Sequence, residues 1–189
     1  MPKLSSRLIA ATLATLAVGG AGAGVVVAQK APSDVEVVSV TLRSAKGAEI
    51  ADVQFRKSPR SAVNVVVSGR GLAPGYHGFH VHAVGRCDAP DFMSAMGHLK
   101  NSRENHGSHK GDFPPLYVKR DGTTAARFET DRFDLDSLKD ADGSAVMIHA
   151  DPDNLGNIPT ARYSPDPDQM TKDTGDSGKR VACGRIAKG

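Results

Sequence analysis

The sequence is short of cysteine and of net charge, and it has no tryptophan. Its 189 residues include two cysteines, and 24 basic side chains face 21 acidic ones, which gives a formal charge of +3. No cysteine precedes residue 87, so attachment of a lipid to a cysteine near the N-terminus is excluded. The length is that of one ordinary domain with an appendage, which rules out a large multidomain protein.

The first 28 residues have the composition of a signal peptide. Lys3 and Arg7 form a basic start, residues 8–28 carry no charge, and the run ends on the small residue Ala28, as a cleavage site requires. We expect this segment to be removed and the protein to be exported to the periplasm, the cell envelope or the extracellular space. The uncharged run is also long enough to span a bilayer, so an uncleaved anchor is the alternative.

Removal of this segment changes the charge of the protein. Lys3 and Arg7 leave with it and no acidic residue does, so the formal charge of the mature chain is about +1. A nearly neutral protein has no general attraction for polyanions. We therefore expect no nucleic-acid partner, and no stable membrane partner once the signal is cleaved. A short linker is expected at residues 29–34 and one folded domain at 35–189.

The mature chain alternates short β-branched segments with turn residues. The 20 glycines and 11 prolines favour a turn-rich fold over a helical bundle. Asp121-Gly122 is a hairpin turn signal, and residues 133–139 have a brief helical pattern. Eight strands are predicted, at residues 35–42, 48–56, 62–68, 78–84, 115–119, 123–130, 144–149 and 180–186.

Two long segments, 85–114 and 150–179, carry no strand pattern. Segments of this length without regular structure in a compact domain are usually functional or disordered. The sequence has no internal repeat. The simplest architecture is therefore an all-β sandwich or barrel of eight strands that carries two long functional loops.

Six of the seven histidines are grouped in a way that favours metal binding. His80 and His82 are two residues apart in a predicted strand, so both side chains point to the same face. In the first long loop, three imidazoles and a carboxylate occur within fifteen residues, a donor set that suits a tetrahedral zinc ion. These residues are His98, His106, His109 and Asp112.

His149 ends an apolar run and has two interpretations. Alone it would be a structural histidine at the mouth of the core. Together with His80, His82 and His98 it completes four nitrogen donors without a thiolate, which suits copper. Two donor sets of four that use seven side chains require one shared residue. The alternative for the loop is a solvated polar segment with incidental histidines. His77 fits neither set and is predicted to be a surface or loop residue.

At these residues the sequence resembles the copper,zinc superoxide dismutase family, and its secreted bacterial members in particular. The matching segments are spread over nearly the whole mature chain: 78–82 (GFHVH), 94–98 (SAMGH), 109–112 (HKGD), 148–156 (IHADPDNLG) and 177–186 (SGKRVACGRI). The resemblance implies an eight-stranded Greek-key sandwich, with a metal loop at about residues 85–114 and an electrostatic loop at about 150–179.

The resemblance implies two metal sites that share one histidine, with one copper and one zinc ion per chain as cofactors. The residues that correspond to copper ligands are His80, His82, His98 and His149. Those that correspond to zinc ligands are His98, His106, His109 and Asp112. The chain departs from the family pattern where Leu99-Lys100-Asn101 replaces the more common Phe-Asn-Pro, and the step from His106 to His109 is shorter than in many relatives. Both departures lie in the segment that carries the zinc ligands, so they affect the expectation of a bound zinc ion more than that of a bound copper ion.

The implied activity is dismutation of superoxide to oxygen and hydrogen peroxide by alternating reduction and oxidation of copper, with zinc structural. His98 would supply a proton when its bond to copper opens, and Arg180 would guide the anion to copper, so both are expected catalytic residues. Asp153 would join the copper-side and zinc-side histidines by hydrogen bonds. Lys172 and Lys179 are further candidates for steering superoxide, with an ordinary surface charge as the alternative.

The two cysteines are expected to form a disulfide bond. Cys87 and Cys183 are the only pair in an exported chain, and the resemblance implies the same pairing. Two buried thiols, or metal binding by cysteine, are the alternatives. The chain is expected to be a monomer or a homodimer.

Two other functions fit the same fold. A non-catalytic copper-binding protein would have lost a copper histidine or Arg180, or would carry an additional cysteine-rich copper site, and the sequence shows none of these. An adhesion sandwich with incidental histidines would not place seven ligands in the family order. The sequence therefore favours the enzyme over both alternative functions.

Overall fold

The computed structural model describes residues 35–162 and 166–189, and in these ranges the regular secondary structure is mostly β-strand. The predicted signal peptide and linker lie outside the described residues. Nine strands are present: β1 Val37–Arg43, β2 Glu49–Lys57, β3 Val63–Gly69, β4 Gly75–His77, β5 Phe79–His82, β6 Leu116–Val118, β7 Thr124–Thr130, β8 Ser144–His149 and β9 Arg180–Ile186. Within the two described ranges, no helix is long and apolar enough to cross a membrane.

Seven of the strands form one curled antiparallel sheet, and the other two form a small second sheet. The order in the large sheet is β5-β8-β9-β1-β2-β3-β7, and β4 pairs with β6. The all-β prediction is confirmed, and each of the eight predicted strands overlaps an observed one. The strand that the sequence pattern does not predict is β4, because three residues are too few to show an alternation.

Side-chain alternation along β5 separates the hydrophobic core from the opposite face of the sheet. Phe79 and Val81 belong to the main core, so His80 and His82 point to the other face. Antiparallel pairing with β8 places His80 opposite Met147. The outer face of β5 and β8 is therefore the place where the predicted copper-side histidines meet.

The first long loop covers this outer face. Ala145, Met147 and Cys183 pack with Phe92 and Ala95 in a small cluster that is separate from the main core. Every residue of β8 is consequently buried, because the strand has the core on one side and the loop on the other. A strand buried on both faces reads as a continuous apolar run, which is what the sequence of β8 shows.

The same loop also closes the free edge of β5. The Leu99 N–H donates to the Val81 carbonyl oxygen at 2.8 Å, and the Val81 N–H donates to the Gly111 carbonyl oxygen at 2.8 Å. A Cβ atom at Gly111 would collide with the Val81 carbonyl. The close approach of the loop to β5 therefore requires glycine at this position.

The second long loop contains a short helix, α1 Gln169–Thr174, that the sequence pattern does not predict. The Asp168 carboxylate caps it by accepting a hydrogen bond from the Thr171 N–H at 2.8 Å, and Gly175 ends it with a φ of 69°. The predicted helical segment 133–139 contains a 3-10 helix at Asp136–Lys139. Two further 3-10 helices lie at Met93–Ala95 and Thr160–Arg162.

A disulfide bond joins Cys87 in the first loop to Cys183 in β9, as predicted from the sequence. The two Cα atoms are 5.7 Å apart, and the residues are separated by 96 positions in the chain. Since Cys183 packs with Phe92 and Ala95, the bond holds the loop against the outer face of β8 and β9.

Replacement of Cys87 and Cys183 by alanine is expected to lower the free energy of unfolding by about 4–5 kcal/mol, because the unfolded chain regains the entropy of a long open loop. Urea unfolding of the wild-type and double-variant proteins measures this difference. Wild-type protein in the presence of a reductant is the control, because it loses the bond but keeps both side chains. A loss below about 1 kcal/mol in both samples would contradict the expected role.

Candidate metal centre

Six histidines and two aspartates form one continuous cluster over the outer face of β5 and β8. Their donor atoms fall into groups whose members all lie within 4.8 Å of one another. The first group contains His80, His82, His98 and His149. The second group contains His98, His106, His109 and Asp112, and a third contains His80, His106 and Asp153. The structure thus brings together all eight residues that the sequence suggested for a metal centre.

Backbone carbonyl oxygens orient the rings of the first group. The Nδ1 atom of His82 donates to the Met96 carbonyl oxygen at 2.8 Å, and the Nδ1 atom of His149 donates to the Gly178 carbonyl oxygen at 3.2 Å. The two Nε2 atoms then carry lone pairs, and they lie 3.3 Å apart. His98 joins them because backbone pairing sets it beside His82. Such orientation of imidazoles by hydrogen bonds is typical of metal ligands.

Two buried ring nitrogens have no hydrogen-bond partner among the described residues. They are Nδ1 of His80 and Nδ1 of His106. The Nε2 atoms of the same rings donate to the Asp153 carboxylate at 2.5 and 2.7 Å, so the two Nδ1 atoms are the ones left for a metal ion, which His106 would bind after losing a proton. A buried acceptor without a partner is costly unless a ligand satisfies it. The donor set therefore fits bound metal ions.

Asp153 connects the first group to the second. Its Oδ1 atom also accepts a hydrogen bond from the Leu155 N–H at 2.6 Å. Burial raises the pKa of Asp153, but the hydrogen bonds from His106, His80 and Leu155 outweigh burial and hold this pKa well below its usual range. The carboxylate is therefore ionised. A Cβ atom at Gly175 would collide with it, so the end of α1 lies directly over Asp153.

Asp112 is the centre of the second group. One carboxylate oxygen accepts from Nδ1 of His98 at 2.9 Å, and the other accepts from the N–H groups of Gly107 and His109 at 2.7 and 3.0 Å. Burial raises the pKa of Asp112, but its histidine partners outweigh burial and keep the pKa far below its usual range. Burial lowers the pKa of His106, whereas the nearby carboxylates of Asp112 and Asp153 raise it, with a result of about 9.

Three histidines of the first group, His82, His98 and His149, are neutral. Burial lowers the pKa of His98 to about 4 and the pKa of His149 to about 3. Burial, with the charges of His98, Arg180 and His149, lowers the pKa of His82 well below its usual value. Only a neutral imidazole has a lone pair for a metal ion. These rings are therefore already in the protonation state that metal binding requires.

Arg180 lies at the mouth of the first group. Its guanidinium donates to the carbonyl oxygens of Phe92 and Met96, both at 2.6 Å. With His82, His98, His149 and Lys179, it lines a pocket of about 450 Å³. Lys172, the other lysine that the sequence suggested, lies in the last turn of α1 and outside the pocket lining.

His77 is buried, and the expectation of a surface or loop position is wrong. It lies in β4, with Nδ1 at 2.7 Å from the His149 carbonyl oxygen and Nε2 at 2.8 Å from the Ala73 carbonyl oxygen. It thereby holds the backbone at the end of β8, next to the first group. His77 directly precedes the GFHVH segment, and this position gave no indication of its contact with His149, which lies 72 residues later in the chain.

Arg132 supports the second group, and the sequence did not suggest it. Its guanidinium donates to the carbonyl oxygens of His109 at 2.9 Å and Gly107 at 3.0 Å. A forked side chain that follows β7 therefore ties down the part of the loop that carries His106 and His109. No local pattern distinguishes Arg132 from a surface arginine, because its partners lie more than twenty residues earlier in the chain.

Arg132→Ala is expected to weaken zinc binding by about tenfold and to leave copper binding unchanged, because two hydrogen bonds that support only the second group are lost. Competition with a chromogenic chelator measures both dissociation constants. Arg127→Ala is the matched control, since Arg127 is exposed on β7 and the change removes the same charge. Equal zinc affinities for Arg132→Ala and the wild-type protein would refute the supporting role.

Similar proteins carry the same combination of fold and metal centre. A family model described as copper/zinc superoxide dismutase (SODC) matches residues 50–186. The chain is 38% identical over 187 residues to the superoxide dismutase [Cu-Zn] of Mycolicibacterium paratuberculosis, and the alignment covers 90% of this chain and 81% of that protein. It is also 38% identical over 166 residues to the superoxide dismutase [Cu-Zn] of Mycobacterium tuberculosis, with coverage of 79% and 69%.

The chain is also similar to a solved structure. The Cu/Zn superoxide dismutase from Brucella abortus superposes with a TM-score of 0.63 at 27% identity, covering 80% of this chain and 99% of that one. The family match includes every residue of the three donor groups. The chain therefore belongs to the copper/zinc superoxide dismutase family, and it is an oxidoreductase that dismutates superoxide with copper and zinc as cofactors.

Proposed function

We propose that the first group holds copper, that the second group holds zinc, and that superoxide reaches copper beside Arg180. The copper ligands are His80, His82, His98 and His149, and the zinc ligands are His98, His106, His109 and Asp112. The observation that carries this proposal is that two donor sets of different composition share one histidine. Four imidazole nitrogens suit copper, whereas three nitrogens and a carboxylate suit zinc.

Each metal has a different task. Bound copper supplies the redox chemistry by alternating between two oxidation states, while zinc has no second accessible state and is structural. Asp153 holds His80 and His106 in fixed orientations through its two hydrogen bonds, so the copper-side and zinc-side rings are supported by one carboxylate.

His98 is the residue that moves a proton. Its Nδ1 atom faces Asp112, so its other ring nitrogen is the one turned toward the first group. Peroxide formation consumes protons, and we assign the delivery of one of them to this nitrogen. The ring is a member of both donor groups, which lets it give up one contact while the other holds it in place.

Arg180 is the docking residue for the anion. A guanidinium has five N–H donors in a rigid fork, and two of its nitrogens bind the Phe92 and Met96 carbonyl oxygens. The Met96 carbonyl oxygen also accepts from Nδ1 of His82. The arginine and a copper-side ring are therefore anchored on the same atom, which fixes the distance between the positive charge and the first group.

The site of action is outside the cytoplasm. The N-terminal segment has the composition of a signal peptide, and the Cys87–Cys183 bond is of a kind that persists in an oxidising compartment. Both observations support export to the periplasm, the cell envelope or the extracellular space.

Counting both metals and measuring superoxide dismutation on the same sample tests the assignment of the two groups. We expect an active protein with one copper and one zinc ion per chain. The His109→Ala variant should lose zinc and keep copper, because His109 belongs to the second group alone. Active wild-type protein that holds copper without zinc would overturn the zinc assignment, and full copper loading without activity would overturn the catalytic role of the first group.

Arg180→Ala is expected to lower kcat/KM for superoxide by about tenfold or more and to flatten its dependence on ionic strength, because electrostatic attraction at the mouth is lost. Copper content should not change. Pulse radiolysis at several salt concentrations measures the effect, and Lys172→Ala is the control that removes a positive charge outside the pocket. An unchanged salt dependence in Arg180→Ala would exclude the docking role.

A further inference from the structure

Methionines surround the mouth of the copper pocket. Met93 is 60% exposed and Met170 is 70% exposed, and both line the pocket together with His82, His149 and Arg180. Met93 belongs to the first long loop, whereas Met170 belongs to α1 in the second. The two loops that border the pocket thus each contribute one exposed thioether.

Met96, which precedes the lining residue Gly97 in the chain, is a third exposed methionine. Its backbone has a φ of 61° and a ψ of −152°, a conformation that suits glycine and costs another residue about 1–3 kcal/mol. Its carbonyl oxygen is held by Arg180 and His82, while its side chain is 60% exposed. Burial gives this side chain little stabilisation that would offset the strain, so its presence points to a function in solution.

The fourth methionine among the described residues is buried, unlike the other three. Met147 is fully buried and packs in the small cluster with Phe92 and Ala95. That residue has the ordinary role of methionine as a filler of irregular space in a core. Met93, Met96 and Met170 have no comparable packing role, because each of these residues is more than half exposed to solvent.

We propose that Met93 and Met170, assisted by the exposed Met96, form an entry site that captures Cu(I) and passes it to His82 and His149. Thioether sulfur is a soft ligand that selects Cu(I). The transfer is a ligand exchange, in which sulfur–copper bonds break as nitrogen–copper bonds form and no electron is transferred. The proposal rests on the assignment of copper to the first group.

The charge at the mouth explains why sulfur suits this task better than a carboxylate. Lys179 and Arg180 outnumber Asp176 among the charged residues that line the pocket, so the mouth is positive, which attracts superoxide but opposes the entry of a cation. A carboxylate would attract the copper ion, but it would also repel the anionic substrate. A neutral thioether binds Cu(I) without adding negative charge, so one opening serves both the metal and the substrate.

The rate of Cu(I) uptake by metal-free protein tests the proposal. Cu(I) is supplied without oxygen as its bicinchoninate complex, and loss of the colour of the complex gives the rate of transfer. The double variant Met93→Leu/Met170→Leu keeps the side-chain volume and removes both sulfurs. We expect transfer to slow by about tenfold, which corresponds to about 1.4 kcal/mol of activation free energy. The final copper content should equal that of the wild-type protein.

Three comparisons make the result specific. Uptake of Cu(II) by the double variant should match the wild-type rate, because the thioether preference is for Cu(I). Met147→Leu, a sulfur-removing change away from the mouth, should leave both rates unchanged. Met96→Gly should slow Cu(I) uptake without lowering Tm, since glycine relieves the backbone strain.

Two outcomes would overturn the entry site. One is a double variant that takes up Cu(I) at the wild-type rate, and the other is a variant that is slowed equally for Cu(I) and Cu(II). Either outcome leaves the proposed function standing, provided that the loaded wild-type protein is active. Wild-type protein that fails to place copper in the first group would instead contradict the proposed function.

Discussion

The metal centre depends on the alternation of side chains along β5 and on its register with β8. Phe79 and Val81 fill the core, so His80 and His82 emerge on the other face, where Met147 lies opposite His80. A shift of one residue would exchange these histidines with core side chains. Hydrophobic residues that are not themselves ligands therefore determine where the ligands are.

Hydrogen bonds and a disulfide bond attach the first loop, in addition to the packing of Phe92 and Ala95 in the small cluster. The first loop pairs with β5 through Val81, is bonded covalently at Cys87, and has its carbonyl oxygens held by Arg132 and Arg180. These attachments are distributed along the loop, on both sides of His98. A segment of about thirty residues with one short 3-10 helix thus presents its ligands in fixed positions without a core of its own.

The strands and the donor residues were predictable because both leave local signals in the sequence, alternation for the strands and spacing for the histidines. The sequence pattern missed α1, although Asp168 and Gly175 mark its ends, because a six-residue helix with no buried residue has no apolar stripe. It also could not show the roles of His77 and Arg132. One partner of His77 and both partners of Arg132 are backbone carbonyl oxygens far along the chain, and such contacts exist only after folding.

The carboxylates of the metal centre are too few to neutralise the ions that it binds. Asp112 and Asp153 are the two acidic members of the donor groups, and the remaining members are imidazoles. Two divalent cations therefore leave an excess of positive charge in a chain whose basic and acidic residues nearly balance, 24 against 21. Arg180 adds to this excess at the opening of the pocket. The choice of histidine over carboxylate as the main ligand thus concentrates positive potential where an anionic substrate must arrive, and the surface of the protein need not be basic.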